Sequence, residues 1–354
     1  MERGSFRFAV ILALSFTASA FIVAWVYDLP LRDPDDGIAG PAYVRLPLIV
    51  VAALLADIVP RAIWRARRTP SAIGNQLGAV VTERWTWPHL RFLLIGLGAW
   101  YLTYFSFRNL KSAVPFVNHD LWDTTLERID RVLWFGNDPA MVLHNLFGTG
   151  FAAHFFAWVY VIWLGFIPVT LAIALAWTRA ARASAWFVTA IAVDWVLGAI
   201  VYFMVPSLGP VYSRPEWFAN LPETVNSPLV RQLMDDRLEV IHLGMNADTV
   251  QTIAAFASLH VGLTVSVVVM AELLRFHTWI RASLWTYLGL TILATIYLGW
   301  HFSVDAIGGA ALGFAGVAIA AWGTGNSMRR VPKKTRDTEP EPAAIEEIAT
   351  PPGA

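Results

Sequence analysis

The residues best suited to chemistry are a histidine inside one apolar segment, Ala257-Ser258-Leu259-His260, and a histidine and an aspartate where two more segments meet, Tyr297-Leu298-Gly299-Trp300-His301-Phe302-Ser303-Val304-Asp305. A charge at a bilayer centre costs roughly 3 kcal/mol even on lenient insertion scales, so such residues usually face a cavity and act there. On a helix, the four-residue step from His301 to Asp305 stacks the two on one face, where the carboxylate can hold the imidazole in one tautomer. Two histidines, one backed by a carboxylate, suit phosphoryl transfer through a phosphohistidine. A neutral imidazole attacks phosphorus, the carboxylate orients it, and the other imidazole protonates the leaving oxygen. No metal and no cofactor is required. The competing readings are a buried polar pair that locks two helices, and a zinc or iron site.

The elements that must position these groups are membrane helices. The chain has 354 residues, 56% of them hydrophobic and 15% charged, which points to an integral membrane protein of the all-α class, a polytopic transmembrane helical bundle. A formal net charge of zero and the lack of any basic aromatic surface motif argue against a nucleic-acid partner. The absence of cysteine excludes disulfides, thiolate metal sites and cysteine nucleophiles.

Apolar runs of spanning length fall at 6–27, 43–60, 91–107, 152–177, 184–206, 251–274, 280–299 and 302–322, which predicts about eight helices. The first is longer than a signal-peptide core and is read as retained. Three regions follow: N-terminal transmembrane helices with a cytoplasmic loop over 1–90, a membrane domain over 91–322, and a tail over 323–354 whose composition reads as disordered. Of the 26 lysines and arginines, 17 fall on the side of the termini and nine on the other, so both termini are expected in the cytoplasm. Loops 28–42, 108–151 and 207–250 are then extracytoplasmic, and His260 and His301 meet near the outer face of a plasma or inner membrane.

These residues resemble the type-2 phosphatidic acid phosphatase superfamily of membrane phosphatases and phosphotransferases. Its second motif, Pro-Ser-Gly-His, is similar to Ala257-Ser258-Leu259-His260, and its third ends His-x-x-x-Asp, as His301 to Asp305 does. The branch containing fungal inositol phosphorylceramide synthase is closer, with Ser-Leu-His as in Ser258-Leu259-His260 and Tyr-Leu-x-x-His as in Tyr297 to His301. That branch also has a Ser-x-Gly-Pro-x-Tyr element like Ser207-Leu208-Gly209-Pro210-Val211-Tyr212, and an upstream stretch like Trp122-Asp123 through Gly136-Asn137-Asp138-Pro139. The resemblance implies a six-helix phosphatase-like core with His301 as nucleophile, Asp305 as its orienting partner and His260 as general acid. Ser258 would contact phosphate, and Ser207, Gly209, Pro210 and Tyr212 would form a substrate loop.

Two cations of the family pattern are missing. Ser207 stands where the first motif has lysine, although Arg214-Pro215 closes that motif, and Thr295 stands where the third motif has arginine. A developing phosphorane needs positive charge, so Arg108, Lys111, Arg131 and Arg214 are the expected replacements. Loss of the arginine also occurs in the synthase branch, which favours transfer to an alcohol over hydrolysis. The expected partners are a lipid-linked phosphate, the bilayer and an alcohol acceptor. Two rivals remain: a glycosyltransferase using polyprenyl-phosphate sugars, with Asp33, Asp35 and Asp36 as its acids, and a membrane carrier.

Overall fold

Each of the eight apolar runs coincides with a helix in the computed structural model, which describes residues 5–33, 35–36, 40–177 and 180–330. The helices are α1 (Arg7–Val26), α2 (Ala42–Ala66), α3 (Ile73–Arg84), α4 (Trp87–Val117), α5 (Asp123–Leu133), α6 (Pro139–Phe147), α7 (Phe151–Ala172), α8 (Ala181–Met204), α9 (Pro210–Ser213), α10 (Ser227–Leu243), α11 (Leu259–Leu273), α12 (Thr278–Tyr297) and α13 (Ser303–Thr324). A π-helical turn, Ile173–Trp177, continues α7. The β-structure among the described residues is a two-residue antiparallel pair, Asp35–Asp36 with Gly40–Pro41. Of the tail, 331–354 lies outside the described residues.

Five helices among the described residues are long and apolar enough to cross a membrane: α1, α4, α7 with its π-turn, α8 and α13. The protein is a polytopic helical bundle. Its main core joins Phe6, which precedes α1, and Ala13 and Phe16 of α1 to Trp100 and Phe107 of α4, Trp186 and Trp195 of α8, Leu263 of α11 and Val317 of α13.

Small residues set the spacing that matters most. A Cβ on Gly309 would collide with the Ser258 carbonyl, and one on Gly313 with the Gly262 carbonyl, so α11 and α13 pack backbone to backbone. Without a hydrophobic drive between helices in lipid, such close packing is what holds them together. Ser266 ties the same pair to α8, donating to Asp194 Oδ2 at 2.5 Å while its hydroxyl also meets the Gly313 carbonyl.

Three expectations are corrected. The run 251–274 is not helical throughout, because α11 begins only at Leu259. Upstream of it the amides go to neighbours instead of to their own turn: Gln251 N to Ser112 Oγ, Ala255 N to the Ser207 carbonyl, Phe256 N to Ser207 Oγ and Ser258 N to the Asp305 carbonyl. An i→i−4 ladder cannot form from donors already engaged. Second, the helix expected over 91–107 runs on to Val117, which puts Arg108 and Lys111 within α4, not at its exit. Third, the expected loops 108–151 and 207–250 are largely helical, and α5, α6, α9 and α10 lie in them.

Candidate active site

His301 lies in the turn before α13, not on it, so the one-face helical stacking expected of His301 and Asp305 is replaced by a capping geometry. Gly299 makes that turn at φ +76°, and a Cβ there would strike the Phe218 ring. Asp305, in the first turn of α13, reaches back so that one oxygen, Oδ2, accepts from Phe302 N at 2.9 Å and meets His301 Nδ1 at 3.2 Å. The close packing of α11 on α13 then brings His260 Nδ1 to 2.9 Å from His301 Nε2.

These contacts admit one continuous ordering of the protons: with Nδ1–H of His301 donated to Asp305, a lone pair remains on His301 Nε2, and His260 donates to it from Nδ1. In that arrangement a ring nitrogen with a free lone pair and an N–H donor face each other at 2.9 Å. His301 is 4% exposed and Asp305 0%, so solvent does not compete for either group.

A second carboxylate builds the platform. Asp130 of α5 accepts from Ser303 N (2.6 Å), Ser303 Oγ (2.8 Å) and Val304 N (2.8 Å), satisfying the first free amides of α13. Trp134 Nε1 adds a bond to Ser303 Oγ at 2.9 Å. Burial raises the pKa of Asp130, and the amide hydrogen bonds counter it. We expect Asp130→Ala to lower stability by about 1–2 kcal/mol, as loss of a helix cap does, seen as a reduced Tm of the detergent-purified protein.

Asp123 does the same for the 207–212 loop, accepting from Leu208 N at 3.0 Å and Gly209 N at 2.9 Å. Gly209 adopts φ +96° and lies so close to the Trp300 carbonyl that a Cβ would clash. Val211 N donates to the Gly299 carbonyl at 2.8 Å, which pins the loop to the histidine turn. Ser207 holds the 255–256 segment, Pro210 is buried, and Tyr212 Oη donates to the Val230 carbonyl at 3.1 Å, tying the loop to α10. Ser258 is fully buried, and its hydroxyl caps α11 by accepting from Val261 N at 3.4 Å.

The four candidate cations divide into two groups. Arg214 Nε donates to Glu127 Oε2 at 2.8 Å, and Arg131 contacts Glu127 Oε1 at 3.1 Å and Asp138 Oδ1 at 2.8 Å, so both are committed to carboxylates. Among the described residues Lys111 has no carboxylate partner. Its ammonium sits 4.8 Å from the Tyr202 ring centre, and Arg108 bonds Tyr104 Oη at 3.3 Å one turn away.

Several neighbours carried no recognisable signal in the sequence. Gln251 Nε2 donates to the Lys111 carbonyl at 2.6 Å, and its Oε1 accepts from Arg237 of α10 at 3.4 Å. Burial pushes Arg237 below the usual guanidinium range, and Asp123 opposes that shift. Trp163 lies tilted against the His260 ring, centroids 4.3 Å apart, and donates to the His260 carbonyl at 3.1 Å. His144, for which the sequence offers no partner, meets the Tyr297 carbonyl through Nε2 at 2.8 Å. In the acidic first loop, Asp33 accepts from Tyr101 Oη at 2.5 Å, while the side chains of Asp35 and Asp36 lie outside the described residues.

A family model described as the PAP2 superfamily matches residues 124–319. Neither a curated protein nor a solved structure matches the chain.

Proposed function

The chain belongs to the PAP2 superfamily, whose members are phosphatases and phosphotransferases, and from that membership we propose a lipid phosphotransferase or phosphatase that works through a phosphohistidine. The observation that carries this reading is the line Asp305–His301–His260, with contacts of 3.2 and 2.9 Å. His301 Nε2 attacks phosphorus. The N–P bond forms as the P–O bond to the lipid alcohol breaks, and His260, as an imidazolium, gives its Nδ1 proton to the departing oxygen and becomes neutral. In the second half, water or an alcohol attacks phosphorus, the N–P bond breaks, and the attacking oxygen's proton returns to His260. Asp305 keeps His301 in the attacking tautomer throughout.

Lys111, with Arg108 one turn away, supplies the positive charge that Ser207 and Thr295 cannot, and Ser258 holds a phosphate oxygen at the start of α11. Arg131 and Arg214 support the site from its rim through Glu127. Lys111→Met should therefore lower kcat/KM for a lipid phosphate about 10- to 100-fold. Arg131→Gln and Arg214→Gln, whose side chains are 48% and 40% exposed, should change it by no more than about threefold. Steady-state kinetics on the three variants separates these outcomes.

Transfer to an alcohol is the favoured version, in keeping with the synthase-like branch. Thr295 replaces the third-motif arginine, and a small cleft beside His301 is lined by Glu127, Asp130 and Asp138. The excess of cations at the opposite end of the bundle supports an extracytoplasmic site with both termini in the cytoplasm.

The test is single-turnover incubation of the purified protein with a phosphate-labelled lipid mixture, following label on protein, in free phosphate and in new lipids. Acid-labile label on the protein, chased into one of the other pools, is expected, and the pool distinguishes hydrolysis from transfer. If no phospholipid class turns over, the reading is wrong.

A further inference from the structure

The end of the bundle away from the histidines holds a second built site. The last turns of α2 and the π-helical turn Ile173–Trp177 enclose a cleft of about 380 Å³, lined by Ala56, Asp57, Pro60, Arg61, Trp64, Arg65 and Trp177. At its base Asp57, whose side chain is 1% exposed, accepts from Arg61 Nε at 2.9 Å and from Arg84 Nε at 2.6 Å. Arg84 is further fixed by a 3.2 Å bond to the Trp177 carbonyl, and Trp177 Nε1 reaches the Ala53 carbonyl of α2 at 3.3 Å.

One carboxylate between two guanidiniums leaves an excess positive charge. Arg61 is held through Nε, and among the described residues its terminal amino groups meet no acceptor, so its fork is oriented and unfilled. Arg65 adds a second cation, shared with Glu83 at 2.7 Å. Such a fork matches phosphate oxygens in geometry and charge. The rest of the wall is apolar or indole. Trp64 is 67% exposed and Trp177 43%, Arg67 covers the Trp64 ring at 4.1 Å, and exposed indoles in membrane proteins favour the headgroup level. A π-turn in a lining element is a further mark of a functional position.

We infer that this cleft binds the phosphate head of an anionic phospholipid from the leaflet opposite the histidine pair, with the acyl chains lying along α2. The inference is independent of the reaction proposed above.

The experiment is native mass spectrometry of the full chain with phosphatidylglycerol, phosphatidylcholine or glycerol 3-phosphate. Wild type should retain phosphatidylglycerol in preference to phosphatidylcholine. The double variant Arg61→Gln/Arg65→Gln should weaken retention about tenfold, and Ala56→Phe, which fills the cleft and leaves every charge in place, should do the same. Arg68→Gln should have no effect, and Lys111→Met should leave the adduct unchanged, which distinguishes it from lipid held at the histidine end. Equal retention of both lipids, or retention surviving Ala56→Phe, overturns the inference. So does glycerol 3-phosphate binding as tightly as the lipid, which would assign the cleft to a soluble phosphate ester. Should the double arginine variant not fold, Ala56→Phe decides.

Discussion

His301→Ala will remove all acid-labile label from the protein and reduce lipid-phosphate turnover by about 10⁴-fold or more, the scale on which deletion of a covalent nucleophile acts. The loss will be chemical, not structural. The His301 ring meets His260, Asp305 and the Ala255 backbone, while the start of α13 is held independently by Asp305 on Phe302 N and by Asp130 on Ser303 N and Val304 N. The variant should therefore keep its helical circular dichroism and its Tm in detergent while losing turnover. Retained turnover together with retained label would move the nucleophile elsewhere.

Asp305→Asn should lower kcat about 10³- to 10⁴-fold, by analogy with the cost of placing a catalytic histidine in the wrong tautomer. The single oxygen Oδ2 serves both His301 Nδ1 and Phe302 N. With its oxygen in that place an amide still accepts from Phe302 N and His301 Nδ1–H, but it carries no charge to stabilise the cationic phosphohistidine. With its nitrogen there the cap on Phe302 N is lost, the imidazole must accept, and its proton moves to Nε2, the attacking atom. Catalysis falls in both cases, and capping survives in the first. Rapid-quench kinetics should show slowed formation of the labelled protein, with KM nearly unchanged. An equal fall in Tm and activity would mark Asp305 as structural only.

Legibility in the sequence followed the physics of each feature. Helices were legible because apolar length is a local property: all eight runs overlap helices, and five helices among the described residues are long and apolar enough to cross a membrane. The stretch 251–258 reads as helix because it is apolar, yet it is irregular because Ser112, Ser207 and Asp305 take or supply its hydrogen bonds. Gln251 and Arg237 could not be identified as neighbours of Lys111, since neither a motif nor a periodicity joins α4, α10 and the segment before α11. The four candidate cations looked equivalent as sequence. Only the carboxylates of Glu127 and Asp138 divide them, by engaging Arg131 and Arg214 and not Lys111.

The sequence by itself determined the class of the protein, the membrane helices and the superfamily, because hydropathy and short motifs are written in consecutive residues. The tertiary structure decided how His260 and His301, 41 residues apart, come within 2.9 Å, and which atoms face each other. That outcome rests on glycines 262, 309 and 313 letting two helices touch at the backbone, and on Asp130 and Asp123 fixing two turns from a distance. Contacts of that kind depend on packing between remote segments, which no local pattern of residue types encodes.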